Sequence, residues 1–431
     1  MKNNIFTFDQ NKCVGCHACV IACMNENGFQ IPEQWRNIHK SNETHFPSLP
    51  LFYLSLACNH CEDAPCLKNC PALAYSRDEK TGAIIHHPEK CMGCKYCTWA
   101  CPFDAPKFNP ITNIIEKCNF CNHRINENLK PACANLCPVG ALDFINEDFS
   151  REESAINSPV PVNVGSNIKI IKLRTKDGPE MDLSLFSEQS SHVNIKTKKK
   201  ITAYNEWPLI VFTLISASLA GLFFSGITTT FSVDNKVFIL LSLVLAAILS
   251  MLHLGKKERA WRSIINIKNS WLSKEIAFFV LFSVIIFCDL FVFQIPPWII
   301  SVAGMLLLIS IDMLYQLATW KWPLKIHSAQ SLFIAITIYA FITGSLPFIL
   351  FIATLRLLLY GYRKFKTHQH FNIITIFRVL VIIFAVVLLY LNNSTWLIFV
   401  VLLVGELIDR IEFYNELNVP NPAIEFSNQQ S

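Results

Sequence analysis

The chain has 431 residues, 52% of them hydrophobic, and a net charge of +5. That apolar fraction is too high for an ordinary soluble protein, and the weak positive charge lacks the aromatic-basic pattern of a nucleic-acid surface. The average hides two unlike halves: sixteen of the 17 cysteines lie between Cys13 and Cys137, and the long apolar runs begin after Trp207.

The first twelve residues, Met1 to Lys12, are polar and lack the apolar core of a secretory leader, so no export signal is expected. The cysteines then come in four groups of four. Cys13, Cys16, Cys19 and Cys23 are spaced C-x2-C-x2-C-x3-C. Cys58, Cys61, Cys66 and Cys70 widen the middle gap to four residues. Cys91, Cys94, Cys97 and Cys101 repeat the first spacing, and Cys118, Cys121, Cys133 and Cys137 widen the middle gap to eleven. A cubane cluster needs four thiolates around a tetrahedron; three come from one tight loop, and the remote fourth ligates a neighbouring cluster in two-cluster ferredoxins. Pro71, Pro102 and Pro138 follow the remote cysteines and preset φ there, whereas Cys23 is followed by Met24. Groups two and four alone would suit paired zinc knuckles, and a disulfide framework would need an oxidising compartment. Four complete groups with no cysteine left over favour iron–sulfur clusters. His17, His60 and His123 lie in or beside the groups, where hydrogen bonding or plain exposure is expected of them rather than ligation.

Residues from about 143 to 205 are polar and carry Pro159, Pro161 and Pro179, which reads as tail and linker; only Ile168 to Leu173 has the composition of a strand. The stretch ends in the lysine run Lys196 to Lys200. Apolar segments follow at Trp207–Phe231, Lys236–Leu254, Glu275–Phe293, Pro297–Leu317, Phe371–Leu391 and Thr395–Ile411. Each approaches the roughly 20 residues needed to cross about 30 Å of hydrocarbon. Ala329–Tyr360 is too long for one crossing and is broken by Gly344, Ser345 and Pro347, so two helices are expected there and about eight in all; one long tilted helix, giving seven, is the alternative.

Charge placement orients them. With eight crossings, the linker lysines, the Lys256–Lys274 loop, Lys321 and Lys325, and Arg363, Lys364 and Lys366 share one face, while the opposite loops carry only Lys236. The positive-inside rule puts that face in the cytoplasm, together with the cysteine-rich domain. Asp289, Asp312, Arg356, Arg378 and Glu406 lie in or near apolar segments and should face the bundle interior, as helix-holding ion pairs more readily than as a proton path. No histidine stands in the middle of a crossing, which excludes the paired axial ligands of a b-type cytochrome, so no haem is expected.

The cysteine pattern over about residues 1–190 resembles the iron–sulfur subunit of the dimethyl sulfoxide reductase family of molybdenum oxidoreductases. The resemblance implies four shared ligand sets: Cys13, Cys16, Cys19 with Cys137; Cys118, Cys121, Cys133 with Cys23; Cys58, Cys61, Cys66 with Cys101; and Cys91, Cys94, Cys97 with Cys70. Related nitrate reductase subunits have Trp at the place of Cys94 and a three-iron cluster; Cys94 here implies four 4Fe–4S clusters. Trp207-Pro208-Leu209, Ser250 to Gly255, Arg259-Ala260, Glu275-Ile276-Ala277, Gly405 to Ile408, Arg410 and Phe413-Tyr414 resemble the membrane anchor subunit of the same reductases, here fused to the cluster subunit over about residues 205–420.

That resemblance implies quinol binding at His253 and Glu275, at the facing ends of the second and third apolar segments. A histidine accepts a quinol hydroxyl hydrogen bond and a partly buried carboxylate takes its proton. The bland alternative is that both are interfacial residues capping helix ends. Relatives exported with a twin-arginine partner lie on the other membrane side from the one the charge bias gives here.

The expected architecture is thus an α+β four-cluster ferredoxin-like domain (1–150), a tail and linker (151–205), an all-α membrane domain of about eight helices (206–415) and a tail (416–431). The expected function is to oxidise quinol in the inner membrane and pass electrons to a separate molybdopterin-containing catalytic subunit, with no site for that cofactor in this chain. The same wire run in reverse from a dehydrogenase, a membrane redox sensor and coupled ion pumping are the alternatives.

Overall fold

A computed structural model of the chain describes residues 3–29, 34–41, 51–147, 164–172, 201–226, 232–319, 322, 325–366, 373–391, 395–417 and 419. Pro159, Pro161, Pro179, the Lys196–Lys200 run, Lys321 and the expected helix start at Phe371 lie outside the described residues. The chain divides into two compact units, Met1–Lys198 with Pro420–Ser431, and Lys199–Val419.

The first unit is built from short elements between the cysteine loops. β1 (Asn3–Asp9) is the middle of a three-stranded sheet, antiparallel to β8 (Leu142–Glu147) and parallel to β9 (Ile168–Ile171). Residues 151–205 thus contribute a strand, because the β-branched run at Ile168 extends the sheet that Phe6 and Phe8 begin. Three two-stranded ribbons pair β2 (Asn37–Lys40) with β3 (Tyr53–Leu56), β4 (Tyr75–Arg77) with β5 (Ile84–His86), and β6 (Lys107–Asn109) with β7 (Ile114–Glu116). Local side chains close two of these: Asp78 accepts from the Lys80 and Thr81 N–H groups at 3.1 and 2.8 Å, and Asn109 accepts from Ile111 N–H at 2.8 Å. Helices α1 (Ala18–Asn27), α2 (Pro65–Lys68), α3 (Tyr96–Ala100), α4 (Asn122–Asn126) and α5 (Ala132–Asn135) carry or follow cysteines of every group. The core sets Phe6, Phe120 and Phe144 edge to face and shares its volume with the buried thiols of Cys19, Cys23 and Cys133.

The second unit contains eight α-helices among the described residues: α6 (Trp207–Phe224), α7 (Val233–Leu252), α8 (Trp271–Phe291), α9 (Pro297–Tyr315), α10 (Ser331–Thr343), α11 (Leu346–Lys366), α12 (Ile373–Tyr390) and α13 (Thr395–Glu416). Their starts follow ordinary capping chemistry. Pro208 and Pro297 occupy first turns, where a missing N–H costs nothing, and the hydroxyls of Ser232 and Ser270 accept from the third residue beyond. A 3₁₀ segment, Lys257–Ile264, connects α7 to α8. The Ala329–Tyr360 stretch is two helices, with Gly344 at φ 67° ending the first. By length and composition, α6, α7, α9 and α11 are each able to cross a membrane, whereas the 13 residues of α10 extend only about 20 Å.

Small residues let these helices approach closely: a Cβ on Gly221 of α6 would lie 2.5 Å from the Ala335 carbonyl oxygen of α10. Charges pin the last three helices. Glu406, Asp409, Glu412 and Glu416, three or four residues apart, line one face of α13. Arg356 of α11 grips Glu406 with both terminal nitrogens, contacts Asp409 at 3.3 Å and donates to Thr337 at 2.9 Å. Arg378 of α12 meets Asp409, Arg363 meets Glu416 at 3.1 Å, and Lys364 meets Glu412 at 3.2 Å and also Glu416. Arg356, Arg378 and Glu406 thus face inward and pair across helices. Asp289 and Asp312 do something else. Asp289 accepts from Ile295 N–H at 2.8 Å, and Asp312 caps α10 by accepting from the Ser331 N–H and hydroxyl at 2.7 and 2.8 Å. Arg363 and Lys364, which charge placement assigned to the basic face, are buried inside the bundle.

Candidate functional site

Each short cysteine loop turns through left-handed residues that aim successive side chains inward. Gly15 and His17 in the first group have φ 69° and 62°, and Gly93 and Lys95 in the third have 71° and 61°. His60 and Phe120 take the same conformation in the second and fourth. Gly15 is also pressed by its surroundings, since a Cβ there would lie 2.5 Å from the Tyr53 ring. Gly15→Ala should therefore cost the left-handed penalty of about 1–2 kcal/mol plus a clash, and lower the iron bound per chain. Gly28→Ala, with φ 73° but nothing within 4 Å of the added carbon, should keep its iron; equal iron in both variants would refute the clash.

The thiols of groups two and three gather around two cavities, and those of groups one and four lie near one another. A cavity of about 340 Å³ is lined by Cys58, Cys61, Cys66 and Cys101, and one of about 300 Å³ by Cys70, Cys91, Cys94 and Cys97. Cys13 answers electrostatically to Cys19, Cys137 and Cys16, and Cys23 to Cys133 and Cys121. Cys118 answers to both Cys23 and Cys133. Cysteines of groups one and four are thus brought near one another, as are those of groups two and three. Burial, then the charge of Cys133, pushes the Cys23 thiol up to about 12, and burial raises Cys61, Cys94 and Cys97 as well. Ionised thiolates in such places need a cation to hold them. Among the described residues no three His, Cys, Asp or Glu side chains converge closely enough to hold one metal ion. Thiols spread around a shared space suit a polynuclear iron–sulfur group better than a single zinc at about 2.3 Å from each sulfur.

Donors and cations surround the sulfurs. Tyr75 donates its hydroxyl to Cys97 at 3.3 Å, and the N–H groups of Ala74, Phe120 and Leu142 donate to Cys70, Cys118 and Cys137 at 3.3, 3.4 and 3.4 Å. Arg36 is buried, donates to the Ser55 hydroxyl at 3.1 Å, and faces Cys133, Cys19, Cys118 and Cys23. Lys117 is buried against the second thiol set. Neither cation was foreseen from spacing; Lys117 stands beside Cys118 in the sequence, but Arg36 is remote from every cysteine group. His60 is buried, accepts from Ile84 N–H at 2.9 Å and stacks on Phe120; His123 meets Glu26 at 2.7 Å, and His17 is exposed.

In the second unit, His253 ends α7 half-buried, and Glu275 lies in α8 at 5% exposure. The charges acting on Glu275 are those of Arg410 on α13 and Asp312 on α9. Tyr315 and Tyr414 join their hydroxyls across α9 and α13, and both answer to Glu275. Buried Glu206, just before α6, acts on Tyr414 as well. The structure thus surrounds Glu275 with polar groups from α9 and α13, of which Tyr315 gave no sequence signal. An acid, a guanidinium and two phenols can together bind a polar head group and exchange its proton.

Comparison with known proteins agrees with both halves. Residues 49–147 match the 4Fe-4S dicluster domain family, and residues 201–396 match the DMSO reductase anchor subunit family. The B subunit of the anaerobic dimethyl sulfoxide reductase of Escherichia coli K12 is 35% identical over 167 residues, covering 36% of this chain and 81% of that protein. The thiosulfate reductase electron transfer subunit PhsB of Salmonella typhi is 37% identical over 152 residues, covering 34% of this chain and 78% of that protein. The protein NrfC of Escherichia coli K12 is 35% identical over 149 residues, covering 34% and 66%. With thiols gathered as 4Fe–4S ligands in one unit and apolar anchor helices in the other, the chain belongs to the dimethyl sulfoxide reductase family, as an iron–sulfur electron-transfer subunit fused to the family's membrane anchor subunit.

Proposed function

We propose that this chain oxidises quinol in its helical unit and delivers the electrons through four 4Fe–4S clusters to a separate molybdopterin-containing catalytic subunit. The observation that carries the reading is the gathering of thiols of groups two and three around two cavities, and of groups one and four beside one another, continued in the same chain by an anchor-family unit whose interior holds an acid among polar partners. When bound, the clusters supply one-electron relays. This chain's residues do the rest. Thiolates of the sets completed by Cys137, Cys23, Cys101 and Cys70 hold the iron, and N–H and hydroxyl donors steady the sulfurs. Glu275 receives a proton from the bound quinol, Arg410 and Asp312 fix the charge around it, and His253 accepts the second hydroxyl hydrogen bond.

The partner would dock where the Cys13 set meets the surface. Cys16 is exposed there, and Val14, Leu136 and Val139, sequence neighbours of Cys13 and Cys137, are exposed apolar side chains that favour contact with another protein. The helices of residues 206–415 would anchor the chain in the inner membrane, α6, α7, α9 and α11 crossing it outright, with residues 1–150 on the cytoplasmic face. A chain purified gently from its own membranes should carry about sixteen iron atoms, four per cubane. It should also bring a stoichiometric molybdenum-containing subunit. Retention of the iron without any such subunit would remove the molybdoenzyme from the reading.

A further inference from the structure

Lys117 occupies a place that the wire itself does not require. Its side chain is 3% exposed, yet its ammonium donates to two carbonyls, Ile84 at 2.5 Å and Cys118 at 2.7 Å. It lines the cavity of Cys58, Cys61, Cys66 and Cys101, and its charge meets those of Cys58, Cys66 and Cys118. Cys118 in turn answers to Cys23 on one side and Cys58 on the other. The ammonium therefore lies between two thiol sets, one from each exchanged pair of cysteine groups.

We propose that Lys117 is a positioning residue for electron transfer, which raises the reduction potentials of the two clusters it separates and so sets the electron step between the two cluster pairs. The physical basis is Coulombic. Reduction adds one negative charge to a cluster, and a fixed buried cation stabilises that charge with little screening by water. The same cation offsets the repulsion between the two clusters when both are reduced. The other buried cation, Arg36, faces Cys19, Cys23, Cys118 and Cys133 and so acts within one pair rather than between pairs. The charges acting most strongly on Cys94 are those of Cys70 and Cys91, and on Cys97 those of Cys94, Cys70 and Cys91, with no cation among them.

The inference rests on the four ligand sets proposed above, and iron content separates its failure from theirs. The test is a redox titration of the purified whole complex followed by electron paramagnetic resonance. In Lys117→Gln, which keeps a donor and loses the charge, the clusters of the Cys58 and Cys118 sets should become tenfold or more harder to reduce at a fixed potential. For a one-electron couple that is about 59 mV or more. The Cys13 and Cys70 sets should not move, and Lys117→Arg should restore the wild-type potentials. Full iron content with all four potentials unchanged would overturn the proposal. Where Lys117→Gln fails to hold iron, the wild-type titration decides: the Cys58 set should be reduced more easily than the Cys70 set, and the reverse order would overturn it.

Discussion

Glu275→Gln should cut quinol-driven reduction of the clusters by about 100-fold or more, the usual range for losing a general base, while dithionite reduces them as before. Glutamine keeps the size and polarity of the side chain, but it takes no proton at neutral pH. The loss would therefore fall on proton acceptance rather than on packing. Asp312→Asn is the informative comparison. Asp312 caps α10 through Ser331 and Leu332 and also acts on Glu275, so its replacement should lower stability as well as quinol oxidation, whereas Glu275→Gln should lower quinol oxidation with little loss of stability. The readouts are the initial rate of cluster bleaching with a soluble quinol and the extent of bleaching with dithionite. Wild-type quinol oxidation in Glu275→Gln would remove the carboxylate from the proposed chemistry.

Arg356→Met should be the most damaging change in the helical unit outside that site, costing about 3–5 kcal/mol, the range for removing one member of a buried pair. Arg356 is 3% exposed and bridges Glu406, Asp409, Thr337 and the Ser328 carbonyl. Without it, Glu406 loses its hydrogen-bonded cation and faces a largely apolar cavity lined by Ile349, Ile352 and Leu402, with Arg378 left to offset its charge. The double variant Arg356→Met with Glu406→Gln should recover much of the loss, because the expensive species is the unpaired carboxylate rather than the missing contact. Thermal unfolding of the detergent-solubilised protein measures both. A single variant within about 1 kcal/mol of wild type would show that water reaches Glu406.

Sequence alone carried the cysteine chemistry far, because ligand spacing within a loop is a local property of the backbone. The break at Gly344 was legible for the same reason: a glycine followed by serine and proline ends a helix whatever surrounds it. The proposed exchange of Cys23, Cys70, Cys101 and Cys137 between groups is not legible from spacing, since it depends on how α1 meets α5 and how α2 meets α3. It entered only through family resemblance. Arg36 and Lys117 escaped notice because a lone cation in a polar stretch looks solvated until tertiary packing closes over it. Arg363 and Lys364 misled in the opposite sense. Positioned like the basic anchors of a cytoplasmic loop, they are instead neutralised by Glu412 and Glu416, so they say less about membrane side than a charge count assumes.

The acidic face of α13 also bears on how these helices partition into lipid. An acid near the centre of a bilayer costs about 2.5–3.5 kcal/mol, and Glu406, Asp409, Glu412 and Glu416 each meet a cation on α11 or α12. Those cations would be as unwelcome in hydrocarbon without their acids. The three helices would therefore depend on one another for solubility in the bilayer as well as for packing.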